Sequence, residues 1–119
     1  MATQPKARVH QQLDPFVTAY EWVALLANED GEWVALGAYS DKSVHVYSTF
    51  GGATVTLEGS SEDMPSATNA VSLTDPTQTL ISFTAKGMKQ VLENPLYFRP
   101  KVTGGDGTTS LTVRLVCRV

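Results

Sequence analysis

The sequence predicts an all-β fold: a two-layer antiparallel β-sandwich, jelly-roll-like, preceded by an extended N-terminal arm. Three observations carry this expectation. Ala53, Val55 and Leu57 alternate with Thr54, Thr56 and Glu58, and Leu111, Val113, Leu115 and Cys117 alternate with Ser110, Thr112, Arg114 and Arg118, which is the period of a half-buried strand. Turn-forming clusters punctuate the chain at intervals of roughly 8 to 15 residues, as in sandwiches. No segment carries a helical pattern beyond about two turns.

Residues 1–15 are polar, contain Pro5 and Pro15 and show no sustained periodicity, so they read as an arm, with residues 16–119 as the sandwich domain. The arm is either a disordered tail or an extension that orders on a neighbouring subunit, where Lys6 and Arg8 would meet acidic groups. From Phe16 to Leu26 strand formers dominate, and Glu29-Asp30-Gly31 then marks a turn, across which Glu32 to Leu36 is expected to pair back. Ser43 to Phe50 reads as the next strand, with Val44 and Val46 on one face and His45 and Tyr47 on the other. Gly51-Gly52 turns the chain into Ala53 to Glu58.

The polar stretch from Gly59 to Asn69 is long enough to cross from one sheet to the other. Short strands are expected at Ala70 to Leu73 and Thr79 to Phe83, split by the turn initiator Asp75-Pro76. Ala85 to Glu93 is the one ambiguous segment. Met88, Val91 and Leu92 have helical spacing, but Gly87 and Pro95 confine any helix to two turns, so strand and short helix stand equal. Tyr97 to Thr103 and Ser110 to Arg118 read as a long antiparallel hairpin through Gly104-Gly105-Asp106-Gly107.

Bulk properties narrow the function classes. A chain of 119 residues is one domain, and at this size folding buries roughly two thirds of the unfolded surface. The net charge of -3, with nine basic residues that form no stripe, argues against direct nucleic-acid binding, which needs a clustered positive field. There is no basic segment followed by an apolar run at the start, and no window has the apolar length of a membrane span, so the expectation is a soluble chain made in a reducing cytoplasm, with no membrane partner. Cys117 stands alone, forms no zinc-ligand pattern and reads as a small apolar residue of the last strand.

No constellation of catalytic type emerges, and the expectation is a chain that is not an enzyme and has no cofactor and no metal. Of the two histidines, His10 falls in the arm and His45 on the polar face of a strand; neither belongs to a spaced ligand pattern. Glu29, Asp30 and Glu32 could attract calcium but lack the alternating oxygen ligands of a binding loop, and Glu62 and Asp63 read the same way. Gly104, Gly105 and Gly107 share only composition with a phosphate loop, since no Gly-Lys-Ser/Thr is present. Trp22, Trp33, Tyr47, Tyr97 and Phe98 could stack a sugar, although in a sandwich this size most large aromatics belong to the core or its seams.

Three segments carry a resemblance: Gly52-Ala-Thr-Val-Thr-Leu-Glu-Gly-Ser-Ser, Leu73-Thr-Asp-Pro-Thr-Gln-Thr-Leu-Ile-Ser-Phe-Thr, and Val91-Leu-Glu-Asn-Pro-Leu-Tyr-Phe-Arg-Pro-Lys-Val-Thr-Gly-Gly-Asp-Gly-Thr-Thr. Together they resemble small structural proteins of tailed-bacteriophage heads, above all the capsid decoration or cement proteins, over about residues 43–118. The Leu-Glu-Gly-Ser segment with the later Tyr-Phe-Arg-Pro-Lys-Val is also similar to the discoidin-like, galactose-binding jelly roll. The first resemblance implies a structural virion protein on the capsid exterior, made in the host cytoplasm. Its partner would be the major capsid protein, and as a dimer or trimer it would stabilise contacts between capsomers. The alternatives it leaves are a tail or head-completion component and a carbohydrate-binding module.

Overall fold

A computed structural model of the chain describes residues 2–4, 11–14, 17–36 and 39–118. The strands are β1 (Ala2–Gln4), β2 (Gln11–Asp14), β3 (Val17–Leu25), β4 (Glu29–Gly31), β5 (Val34–Ala35), β6 (Asp41–Thr49), β7 (Thr54–Ser60), β8 (Val71–Ser72), β9 (Ser82–Phe83), β10 (Gly87–Gln90), β11 (Tyr97–Thr103) and β12 (Ser110–Arg118). One sheet runs β1-β4-β11-β7-β8, with β5 also on β11 and β9 also on β7; the other runs β10-β6-β12-β3-β2. Every pairing is antiparallel except that of β1 with β4. The described residues therefore form the expected two-layer β-sandwich, without a helix.

The core lies between the sheets. Val44 and Val46 from β6, Val55 and Leu57 from β7, Phe98 and Val102 from β11, and Leu111 to Cys117 at alternate positions of β12 all point inward and are buried. Period-2 alternation thus places the inner faces as the sequence indicates. One inner face breaks the rule. Trp22 and Leu25 are three residues apart, yet both are buried, because the register shifts between Leu111↔Leu25 and Val113↔Trp22. The extra residue forms a bulge at which Ala24 takes φ 59°, so the strand turns Leu25 back into the core.

Partner choice differs from the sequence expectation at several places. β11 and β12 are not a hairpin: β11 pairs with β7, β4 and β5, whereas β12 lies between β6 and β3 in the opposite sheet. Residues 104–109 arch from one sheet to the other. Alternation reports which face of a strand is buried but not who lies beside it, and two strands that bury facing surfaces can sit in opposite layers. Glu29-Asp30-Gly31 is likewise a strand rather than a turn. The turn comes earlier, where Glu29 N donates to Leu26 O (3.2 Å) and Asn28 takes φ 57°. In consequence β5 pairs with Tyr97 and Phe98 of β11 instead of folding back on β3.

The polar stretch after β7 does not cross between sheets either. Glu58 and Gly59 pair with Ser72 and Val71, so β8 returns to the strand that the loop left. The ambiguous segment resolves as strand β10, which pairs with β6 from Gly87↔Val46 to Gln90↔Ser43. Within segment 1–15, β1 adds to β4 and β2 adds to β3 of this same chain. Lys6, Arg8 and His10 lie outside the described residues.

Candidate interaction surface

Three connections between the sheets converge at one end of the sandwich: residues 26–28, 50–53 and 104–109. Asn28 N donates to Gly104 O (3.2 Å), Gly104 N donates to Asn28 Oδ1 (2.9 Å), and the Thr109 hydroxyl donates to Phe50 O (2.9 Å). Packing this close requires glycine at two positions. A Cβ on Gly51 (φ 56°) would lie 2.5 Å from Asp106 Oδ1, and one on Gly105 (φ 102°) would lie 2.6 Å from Thr109 Oγ1. The glycine-rich tip also directs its amides inward, since the N–H groups of Asp106, Thr108 and Thr109 bond to Thr109 Oγ1, Asp106 Oδ1 and Asp106 O. Those donors are engaged within the loop, unlike the open amide nest that cradles a phosphate.

The outer face of the larger sheet carries a buried ion cluster. Along β11, Phe98 and Val102 point inward, which turns Arg99 and Lys101 outward beside Glu58 of β7 and Asp30 of β4. Arg99 Nε donates to Glu58 Oε1 at 2.9 Å, Arg99 Nη2 lies 3.6 Å from Asp30 Oδ2, and the guanidinium stacks 4.5 Å from the Trp33 ring. Asp30, Arg99 and Glu58 are only 4, 5 and 6 % exposed. Burial pushes the Asp30 carboxyl above its usual range; Arg99 opposes that shift and Glu58 adds to it. Lys101 reaches Glu58 Oε2 at 4.0 Å from a third-exposed position.

The outer face of the smaller sheet is polar and more open. Arg114 Nη1 pairs with Glu21 Oε2 at 3.1 Å, the Tyr47 hydroxyl donates to the same oxygen at 3.5 Å, and the His45 and Tyr47 rings lie 4.8 Å apart. His45 therefore sits in a surface network opposite Arg114. Large exposed apolar side chains occur mostly elsewhere in the sequence. Of the eight large exposed hydrophobic residues among those described, Met64, Val71, Leu80, Met88, Leu92 and Leu96 fall in sequence between β7 and β11; Val23 and Leu26 are the other two. Leu80 and Leu92 are brought together through Thr74, which bridges to the first and accepts the amide of the second at 2.9 Å.

A groove of about 430 Å³ opens in the same region, with Gly59, Val71, Leu73 and Pro95 as its apolar lining and Asn69 and Glu93 among its polar groups. Glu93 accepts the Thr74 amide at 2.8 Å and also the Thr74 hydroxyl, bonds that hold its carboxyl below the usual range against the opposing effect of burial. None of the aromatics singled out as sugar platforms lines this groove. Trp22 and Phe98 are core residues, Trp33 covers Arg99, Tyr47 faces His45, and Tyr97 directs its hydroxyl to Asp63 O.

The acidic residues near Gly31 diverge rather than converge. Asp30 joins Arg99, Glu29 accepts the Leu26 amide at 2.7 Å, and Glu32 is exposed. Glu62 binds Asn69 Nδ2 at 3.0 Å. Among the described residues no three of His, Cys, Asp or Glu come together in a metal-binding group. Cys117 is fully buried, and desolvation pushes its thiol up to about 11. Two features escaped sequence reasoning: the burial of the outward-facing Asp30, Glu58 and Arg99, and that of the inward-facing Lys42. Their positions in the alternation are readable, but their depth depends on neighbours from other strands.

Among the described residues, then, the chain is a β-sandwich with a buried ion cluster on the outer face of its larger sheet and a groove bordered by exposed apolar side chains after β7. Among solved structures it is similar to the crystal structure of SPBc2 prophage-derived protein YomS, with a TM-score of 0.63 over 92% of this chain and 100% of that one, at 13% identity. That likeness establishes the shared fold. No protein-family model and no curated protein matches the chain.

Proposed function

We propose that this chain is a structural protein of a tailed-phage virion that decorates the outside of the capsid. It binds the major capsid protein near contacts between capsomers, as a small homo-oligomer, and acts by adding interface rather than by catalysis. The observation that carries this reading is the groove lined by the exposed Val71, beside which Thr74 holds the exposed Leu80 and Leu92 near one another. An open apolar groove bordered by exposed side chains on a small domain marks an interaction surface. Glu93 in the groove is already engaged by the Thr74 amide and hydroxyl, so the groove presents apolar surface with its nearest carboxylate satisfied.

The sandwich fold shared with a prophage-derived protein supports a phage setting for that surface. Many copies, each making a modest interface with the shell, would together resist its expansion under packaged DNA. The test is binding to heads assembled without the protein. The purified chain is expected to co-sediment with such heads to saturation, and Val71→Glu with Leu92→Glu is expected to weaken binding about tenfold or more, roughly 1.4 kcal/mol, at unchanged thermal stability. Heads that stay bare in the presence of folded wild-type protein would overturn the reading, and equal binding by the double variant would remove this surface from it.

A further inference from the structure

We propose that the side-chain amine of Lys42 and the carboxamide of Asn94 condense into an intramolecular isopeptide bond that ties β6 to the segment leading into β11. Lys42 is an inward-facing residue of β6 and only 1% exposed. Lysine is almost never buried to this depth unless it is paired with an opposite charge. Here the amine donates instead to two neutral oxygens, Tyr39 O and Asn94 Oδ1, and lies 4.9 Å from the centre of the Phe98 ring. None of the ion pairs among the described residues includes it.

An ammonium buried without a counterion is costly, so the site raises the share of the uncharged amine, the nucleophilic form. Desolvation accordingly lowers the Lys42 pKa, opposed by weaker effects of Cys117 and Asp41. Cys117, its cross-strand partner, is held as a neutral thiol by its own burial.

The backbone positions the two reacting groups. β6 is paired on both sides, by β10 and β12. The segment that carries Asn94 is fixed at Val91, whose amide donates to Lys42 O at 2.9 Å, and again at Leu96, whose carbonyl accepts the Leu36 amide at 3.1 Å. The amine donates to the oxygen of the carboxamide, and the carbon to be attacked lies one C=O bond, about 1.2 Å, from that oxygen. A rotation of the amine that turns its lone pair to Cγ completes the attack geometry, and well-oriented intramolecular pairs react with effective concentrations of roughly 10⁵–10⁸ M.

The reaction balances without an oxidant or cofactor. The Lys42 nitrogen forms a bond to Asn94 Cγ, the bond from Cγ to the carboxamide nitrogen breaks, and that nitrogen leaves with one proton from the amine as ammonia. Asn94 is itself exposed, so the ammonia departs into water. Closure is expected to be slow relative to folding, because proximity is the main source of acceleration. The product is a neutral amide across 52 positions of sequence, which closes a long covalent loop and restricts the unfolded chain.

Intact-mass and fragment-ion measurements on the folded full-length protein, incubated at its host's growth temperature, test the inference. The wild type is expected to be lighter than its sequence by one ammonia and to yield a branched peptide that joins Lys42 to Asn94. Asn94→Ala, a change at an exposed site, is expected to fold and to keep its full sequence mass. Asn94→Asp is expected to give the same branched product by loss of water. A folded wild type that stays at full mass, or an ammonia loss that persists in Asn94→Ala, would overturn the proposal.

Discussion

Arg99→Met is expected to destabilise the fold by about 3–5 kcal/mol, the usual consequence of removing one partner from a buried charge cluster. A domain of this kind has about 5–15 kcal/mol of net stability, so the variant would stand close to unfolding. The cause is specific to the outer face of the larger sheet. Among the described residues Arg99 is the one cation in ion pairs with both Glu58 and Asp30, and all three are nearly excluded from solvent. Without it two carboxylates share a buried site, with Lys101, 4.0 Å from Glu58, as the nearest cation left among the described residues.

Arg99→Lys is expected to recover only part of the loss, since an ammonium lacks the flat, forked geometry that meets Glu58 while lying on Trp33. Asp30→Asn is expected to cost less than Arg99→Met. Burial already disfavours the Asp30 charge, and Asp30 Oδ1 has no hydrogen-bond partner among the described residues. Lys101→Met, at a third-exposed position, is expected to change stability by less than about 1 kcal/mol. Denaturant midpoints at constant slope read all four. An Arg99→Met midpoint equal to that of Lys101→Met would show that the cluster contributes nothing.

Trp22→Ala is expected to cost a further distinct amount, about 3–5 kcal/mol, as large-to-small changes of a buried tryptophan do. Trp22 is fully buried on β3, and its indole N–H donates to Glu32 O at 3.0 Å. β3 belongs to the smaller sheet, whereas Glu32 follows β4 of the larger one, so the bond joins the two layers beside a connection between them. The indole also fills the space against Gly31, where an added Cβ would lie 2.7 Å from Trp22 Cδ1. Truncation therefore opens a cavity and leaves a carbonyl without its donor. Trp22→Phe restores most of the volume but not the hydrogen bond, and is expected to fall between wild type and Trp22→Ala in thermal unfolding.

These two residues also mark what the sequence discloses. Alternation in Ala53–Leu57 and Leu111–Cys117 is enough to identify half-buried strands and hence the fold class, because each pattern depends on one strand alone. Pairing depends on other strands, and there the local signals mislead. The glycine tip after β11 looks like a hairpin but arches between layers, since left-handed glycines permit either path. Met88, Val91 and Leu92 have helical spacing, yet only Val91 is buried, and the segment pairs as a strand because the edge of β6 is open to it.

The bulge that brings both Trp22 and Leu25 inward disguises the period of β3. The surface residues were legible by type and not by setting. Asp30 and Trp33 stood out as a possible calcium ligand and a possible sugar platform, but each belongs to the structure around Arg99, which is itself covered because strands from distant parts of the chain meet there. Lys42 gave no signal at all, since its place in the alternation of β6 is that of a core valine.

The proposal that this sandwich works by gripping a capsid is tested most directly by a quantitative protein inventory of purified, DNA-filled particles. The account predicts that the chain is present in copy numbers comparable with those of the major capsid protein and that it remains with heads after tails are removed. Absence from mature particles, or retention with the tail fraction in only a few copies, would contradict it.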